Sequence, residues 1–142
     1  MNKNKFRGKR IDNGRWEFGN VINCASGEKT YIFPIDSYAN ESLKIGEEGC
    51  LRLVTMEVDP ETVGQYTSLK DKNGKEIYEG DAIKIDHPFH PIRIVFFDNC
   101  SFKTRIPGLN DGVFLLNLYD SNVELIGNIH DNPELLGVES DE

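Results

Sequence analysis

Seven carboxylates fall close together in the middle of the chain: Glu57, Asp59, Glu61, Asp71, Glu76, Glu79 and Asp81. Two carboxylates that face each other can act as acid and base, as in glycoside hydrolysis. The neighbouring residues offer three of them a simpler use. Asp59 precedes Pro60, Asp71 adjoins Asn73-Gly74, and Asp81 follows Gly80. At such positions an Asp side chain accepts hydrogen bonds from nearby backbone N–H groups, and the structural reading is preferred. His87-Pro88-Phe89-His90-Pro91 puts two imidazoles three residues apart. They could hold a metal if Asp86 or Asp98 converged on them. The two prolines favour a stiff connection instead, so no metal and no cofactor is expected. Cys24, Cys50 and Cys100 are odd in number and far apart, with no Cys-x-x-Cys and no neighbouring His. They read as reduced thiols, neither a disulfide framework nor activated nucleophiles. Gly-x-Ser-x-Gly, Gly-x-Gly-x-x-Gly and Walker patterns are absent from the sequence, so no catalytic residue is nominated.

Cations are concentrated at the start. Lys3, Lys5, Arg7, Lys9 and Arg10 form a basic head and are the candidate binding residues. Residues 1–57 carry nine Lys/Arg and eight Asp/Glu, a net +1. Residues 58–142 carry seven and sixteen, a net −9, and the whole chain is −8. An acidic body repels a phosphate backbone, which disfavours general nucleic-acid binding. The preferred reading of the head is a solvated edge strand whose alternating charge resists unwanted pairing.

The elements that must position these groups are strands. Trp16, Phe18 and Ile22 alternate with polar neighbours, as do Tyr31, Phe33 and Ile35, then Ile83 and Ile85, then Val123, Leu125 and Ile129. A period of two marks strands with one wet face, and it assigns the aromatics to the core face. Between Cys50 and Val58 the apolar phase changes, which suggests a bulge or bend. Ile92–Phe97 becomes apolar on both faces and should lie centrally. Asp12-Asn13-Gly14, Asn73-Gly74 (read as type I′), Glu79-Gly80-Asp81 and Asn110-Asp111-Gly112 are turns. Helix is scarce: Asn132 as N-cap and Pro133 begin a single turn that stops at Gly137.

The expected fold is therefore mainly β, a small SH3-like or antiparallel β-barrel with an amino-terminal hairpin lobe and little helix. Residues 1–49 form the hairpin lobe and loop, 50–136 the barrel lobe and 137–142 a flexible acidic tail, within one compact unit. A chain of 142 residues with 38% hydrophobic residues can bury a modest core, which excludes disorder throughout. Its longest apolar runs are too short to span a bilayer. The basic start lacks an apolar stretch of the secretory kind, so a cytoplasmic location is expected.

Three blocks carry a resemblance. They are Lys5-Phe6-Arg7-Gly8-Lys9-Arg10, then Thr62–Thr67 through Asp71-Lys72-Asn73-Gly74-Lys75-Glu76-Ile77-Tyr78-Glu79-Gly80-Asp81, and Val123-Glu124-Leu125-Ile126-Gly127-Asn128-Ile129-His130-Asp131-Asn132-Pro133-Glu134-Leu135-Leu136. In this order they resemble the YopX family of phage and prophage proteins. Ser68 stands where that family usually has Gly, and His130 where Tyr is usual. Ser68 then asks that the backbone avoid positive φ. The resemblance implies a mainly β, SH3-like fold from a mobile element of a bacterium. It implies no activity and no catalytic residue.

The leading expectation is a non-enzymatic module that binds a protein partner, of the host or of the phage, with a homo-oligomer as another possibility. A second reading is a nucleic-acid contact through the basic head and exposed aromatics. A third is a metal-dependent hydrolase built from His87, His90 and the acidic segment.

Overall fold

A computed structural model describes residues 5–24, 27–34, 43–45, 51–53, 55–109, 112–118 and 122–136. The expected boundary after residue 49, the tail 137–142, Lys3 and Ile35 lie outside the described residues. The fold is mainly β and antiparallel. Its strands are β1 (Phe6–Arg10), β2 (Trp16–Asn23), β3 (Thr30–Pro34), β4 (Leu43–Ile45), β5 (Leu51–Leu53), β6 (Met56–Lys70), β7 (Glu76–Tyr78), β8 (Asp81–Lys84), β9 (Ile92–Asp98), β10 (Ser101–Arg105), β11 (Val113–Phe114) and β12 (Glu124–Asn128). The chain divides into two compact units, Met1–Gln65 and Tyr66–Glu142, with the long strand β6 running through the division.

In the first unit β1 pairs with β2, β2 with β3, β3 with β6 and β6 with β1. β4 and β5 pair with each other. The Asp12-Asn13-Gly14 hairpin forms as expected: Gly14 has φ 73°, and Asn13 Oδ1 accepts the Arg15 N–H at 2.9 Å. β1 is flanked on both sides and is not an edge strand, which corrects the edge reading of the basic head. Its pairing with β6 breaks between Arg7 and Lys9, where β6 carries extra residues around Pro60. Proline suits a bulge because it has no N–H to leave unpaired. Thr62 fills the gap: its Oγ1 accepts the Lys9 N–H at 2.8 Å, and its hydroxyl donates to Asp59 O at 2.6 Å.

The aromatic phase in this unit is the reverse of the expectation. Ile32, Val58, Thr30 and Gly19 are buried, whereas Phe18 and Ile22 are each 37% exposed and Trp16, Tyr31 and Phe33 are half-buried. Small side chains take the inner side because the strands approach closely there. A Cβ on Gly8 would stand 2.9 Å from Val58 Cγ2, and aromatic rings are accommodated outside.

In the second unit β6 from Tyr66 onward pairs with β7, and a five-stranded sheet runs β11-β10-β9-β8-β12. β9 is central, as its apolar run requires. Ile77, Ile83, Ile85, Val95, Leu115 and Val123 form the core, with Leu69, Phe102, Leu118 and Leu125 packed against it. Arg93 is buried in the same sheet: its Nε donates to Thr104 Oγ1 at 2.7 Å and its Nη2 to Thr104 O at 3.2 Å. Residues 85–91 connect β8 to β9, as expected of the proline-rich stretch. Leu115–Leu118 and Pro133–Leu136 are 3-10 turns, and among the described residues no α-helix occurs. No helix among them is long and apolar enough to cross a membrane.

Two turn expectations change. Asn73 is not left-handed, and only Gly74 has positive φ (84°). Asp71 O accepts the Gly74 N–H at 3.0 Å, and the Asp71 N–H donates to Lys75 O at 2.8 Å. This is a type I turn closed by a left-handed glycine, not type I′. Ser68 has φ 71°, against the expectation that it avoids this region. The reason is a bulge: between the Tyr66–Tyr78 and Lys70–Glu76 pairs, β6 has more residues than β7.

A left-handed L-residue costs about 1–2 kcal/mol, and glycine returns part of that as unfolded-state entropy. Ser68→Gly is therefore expected to raise stability by up to about 1 kcal/mol in chemical denaturation. Gly8→Ala is expected to lower it by roughly 1–3 kcal/mol through the clash with Val58.

Candidate functional site

Four carboxylates of the acidic segment, Asp59, Asp71, Glu76 and Asp81, accept hydrogen bonds from their surroundings. Asp71 is 6% exposed and works entirely on backbone. Its Oδ1 accepts the N–H groups of Asn73 (2.8 Å) and Lys75 (2.9 Å), and its Oδ2 accepts that of Leu125 (2.9 Å). One carboxylate thus shapes the turn and ties it to β12. The Lys72 N–H adds a bond to Val123 O at 2.9 Å. Burial pushes the Asp71 carboxyl up, but the N–H donors of Leu125, Lys75 and Asn73 and the charge of Lys75 outweigh it, so the group lies below the ordinary 3.8. Asp81 is buried, with Oδ2 accepting the Tyr78 N–H at 2.7 Å. Asp59 Oδ1 accepts the Glu61 N–H at 3.0 Å. Glu76 accepts the Tyr78 hydroxyl at 2.9 Å.

The carboxy-terminal block has the same character. Asn128 Oδ1 accepts the N–H groups of His130 (2.9 Å) and Asp131 (2.8 Å), and its Nδ2 donates to Asp131 Oδ2 at 3.1 Å. Asn132 is not a side-chain N-cap. Its Oδ1 accepts the Asn128 N–H at 3.3 Å, while its backbone carbonyl takes the Leu135 N–H at 2.9 Å. Gly127 leaves room for this, since a Cβ there would overlap Asn132 Oδ1.

His87 and His90 are exposed, their ring centres 5.8 Å apart. His87 Nδ1 accepts the backbone N–H groups of Phe89 (3.2 Å) and His90 (2.9 Å), so one ring nitrogen is used in the turn. Among the described residues no group of three or more His, Cys, Asp or Glu could hold a metal ion. Cys24 and Cys100 are free thiols, and Cys50 lies outside the described residues.

The basic strand is engaged by its own neighbours. The Arg7 guanidinium is buried 4.6 Å from the Trp16 ring centre, and Lys9 Nζ lies 5.8 Å from it. Arg10 forms a fork with Asp12 (Nε to Oδ1 2.9 Å, Nη2 to Oδ2 2.7 Å) and a further bond to Glu17 at 3.2 Å. These bonds raise the guanidinium pKa and hold the Asp12 carboxyl below its ordinary value. Lys5 is half-buried at the entry to β1.

Sequence reasoning missed the concave surfaces. In the second unit a cleft of about 500 Å³ is lined by Leu69, Cys100, Phe102, Phe114, Leu115 and Asn117. Beside it Phe97 meets Phe102 edge to face at 4.9 Å between centres. Phe97 and Phe114 are 44% and 47% exposed. In the first unit a cleft of about 540 Å³ is lined by Phe6, Val21, Asn23, Thr30, Pro60 and Val63. Both clefts are lined by residues from several elements, which no local sequence pattern brings together.

A family model described as YopX protein matches residues 5–137. The chain belongs to the YopX family. In the second and third of the blocks that carry the resemblance, Asp71, Asp81, Asn128 and Asn132 all bond to backbone N–H groups. A crystal structure of protein EF1440 from Enterococcus faecalis is similar, with 25% identity, 94% of this chain and 97% of that chain covered, and a TM-score of 0.56. No curated protein matches the chain.

Asp71→Asn keeps an acceptor for Asn73 and Lys75 but turns an N–H₂ toward the Leu125 N–H. A loss of about 1–3 kcal/mol is expected in denaturant titration. Because folding lowers the Asp71 pKa, its contribution is complete above the unfolded value and is lost as pH falls through the folded one. The wild type should therefore lose stability below about pH 4 more steeply than Asp71→Asn.

Proposed function

We propose that this YopX-family chain is a non-enzymatic binding module, encoded by a phage or prophage and acting through protein contacts in the bacterial cytoplasm. The observation that carries the reading is the aromatic surface around the second unit's cleft. Phe97 and Phe114 are large apolar side chains held at the surface on β9 and β11. Aromatic anchors of this kind dominate protein interfaces. The carboxylates of the acidic segment support it from the other side, because those bound to backbone are not available as acid or base.

Side chains carry the contact, not strand edges. β11 has two residues, and β12 is interrupted by a register shift between Leu125 and Gly127. Short or bulged edges are poor templates for strand addition. We infer a small SH3-like barrel in the first unit, whereas the sequence expectation put it over residues 50–136. The round of pairings from β1 through β2, β3 and β6 back to β1 favours it.

The test compares wild type with Phe114→Glu, each immobilised and exposed to lysate of the bacterial host. The proposal expects a protein held by wild type in stoichiometric amount and lost with the folded variant, by at least about tenfold. Identical captures from both would overturn it.

A further inference from the structure

The outward face of β1–β2–β3 joins cations to aromatic rings. Register places Lys9 opposite Trp16 and Arg7, itself buried against Trp16, opposite Phe18 on β1 and β2, and Asn20 opposite Phe33 and Ile22 opposite Tyr31 on β2 and β3. Residues paired directly across antiparallel strands point to the same side. The opposite side is the buried one, holding Gly19, Thr30 and Ile32. The outward residues of these three strands include no acid. The nearest acids belong to β6, with Asp59 opposite Lys9 and Glu57 opposite Tyr31. Within these three strands the outward charges are cations, in a chain of net charge −8.

We propose that this face binds a single-stranded polynucleotide. Flat aromatic side chains on a sheet accept bases whatever their identity, and flanking cations neutralise the backbone. Phe18, at 37% exposure, offers a ring for stacking, and Tyr31 and Phe33 extend the platform. Lys9, with Lys5 at the entry to β1, provides the complementary charge. A duplex is a poorer occupant, because its stacked bases cannot lie on a sheet face. The acidic remainder of the chain makes the interaction weak and sensitive to salt. The inference is independent of the protein-contact reading, which rests on the second unit.

Trp16 is the sole tryptophan and lies on this face, so its emission reports occupancy directly. Fluorescein-labelled dT and rU 15-mers and a 15-base-pair duplex would be titrated with the full chain, following anisotropy and Trp16 emission. Both single strands are expected to bind and quench Trp16, and the duplex at least about tenfold more weakly. Two phosphate contacts should weaken binding about 25-fold between about 20 and 200 mM salt. Phe18→Ala should weaken it at least about fivefold. Lys9→Ala, checked for folding by circular dichroism, should flatten the salt dependence. DNA and RNA arms distinguish the two sources of the same chemistry. Absence of quenching and of anisotropy change at low salt would overturn the proposal. So would equal affinity for duplex, or undiminished binding by a folded Phe18→Ala.

Discussion

The Asp71 carboxylate is the interaction on which the second unit turns. Three backbone N–H groups, from Asn73, Lys75 and Leu125, end on its two oxygens. The first two are local and fix the turn that follows β6. The third comes from a strand far along the chain and fixes where β12 lies. A buried carboxylate without such donors would be costly; with them it orders two segments at once. Asp81 repeats the device on a smaller scale at the turn into β8, and Asn128 with Asn132 does so after β12.

The same kind of bond engages several carboxylates of the acidic segment. Acid–base chemistry needs a carboxyl free to exchange a proton with a substrate. Here the buried carboxylates face backbone donors, and exposed Asp59 likewise accepts a local N–H. What the surface offers instead is apolar and aromatic: Phe97 and Phe114 in the second unit, Phe18 and Ile22 in the first, and Phe89 at 79% exposure on the loop that His87 closes. Such groups suit recognition.

Much of this was legible in the residues. Alternation at Ile83 and Ile85 located the second unit's core strand, and both side chains are buried. The apolar run ending at Phe97 placed β9 centrally, and Asp12-Asn13-Gly14 marked the first hairpin. Alternation alone does not say which face is inward, and this failed at β2. Where Gly8 and Gly19 let the strands approach Val58 closely on the inner side, Trp16, Phe18, Tyr31 and Phe33 lie on the other. Ser68 misled because a bulge is a property of two strands' register, and neither strand's sequence states it. Thr62, Arg93 and the reach of Asp71 to Leu125 were invisible for the same reason: each depends on a partner distant in sequence. The clefts follow from packing between elements and leave no local pattern.

Amide hydrogen exchange under native conditions tests most directly whether Asp71 and Asp81 hold backbone. The amides of Asn73, Lys75, Tyr78 and Leu125 should be protected and should exchange together with the core amides of β8 and β9, because their acceptors are buried carboxylates. Fast exchange at these four amides while β8 and β9 remain protected would contradict it, and would free Asp71 and Asp81 for chemistry.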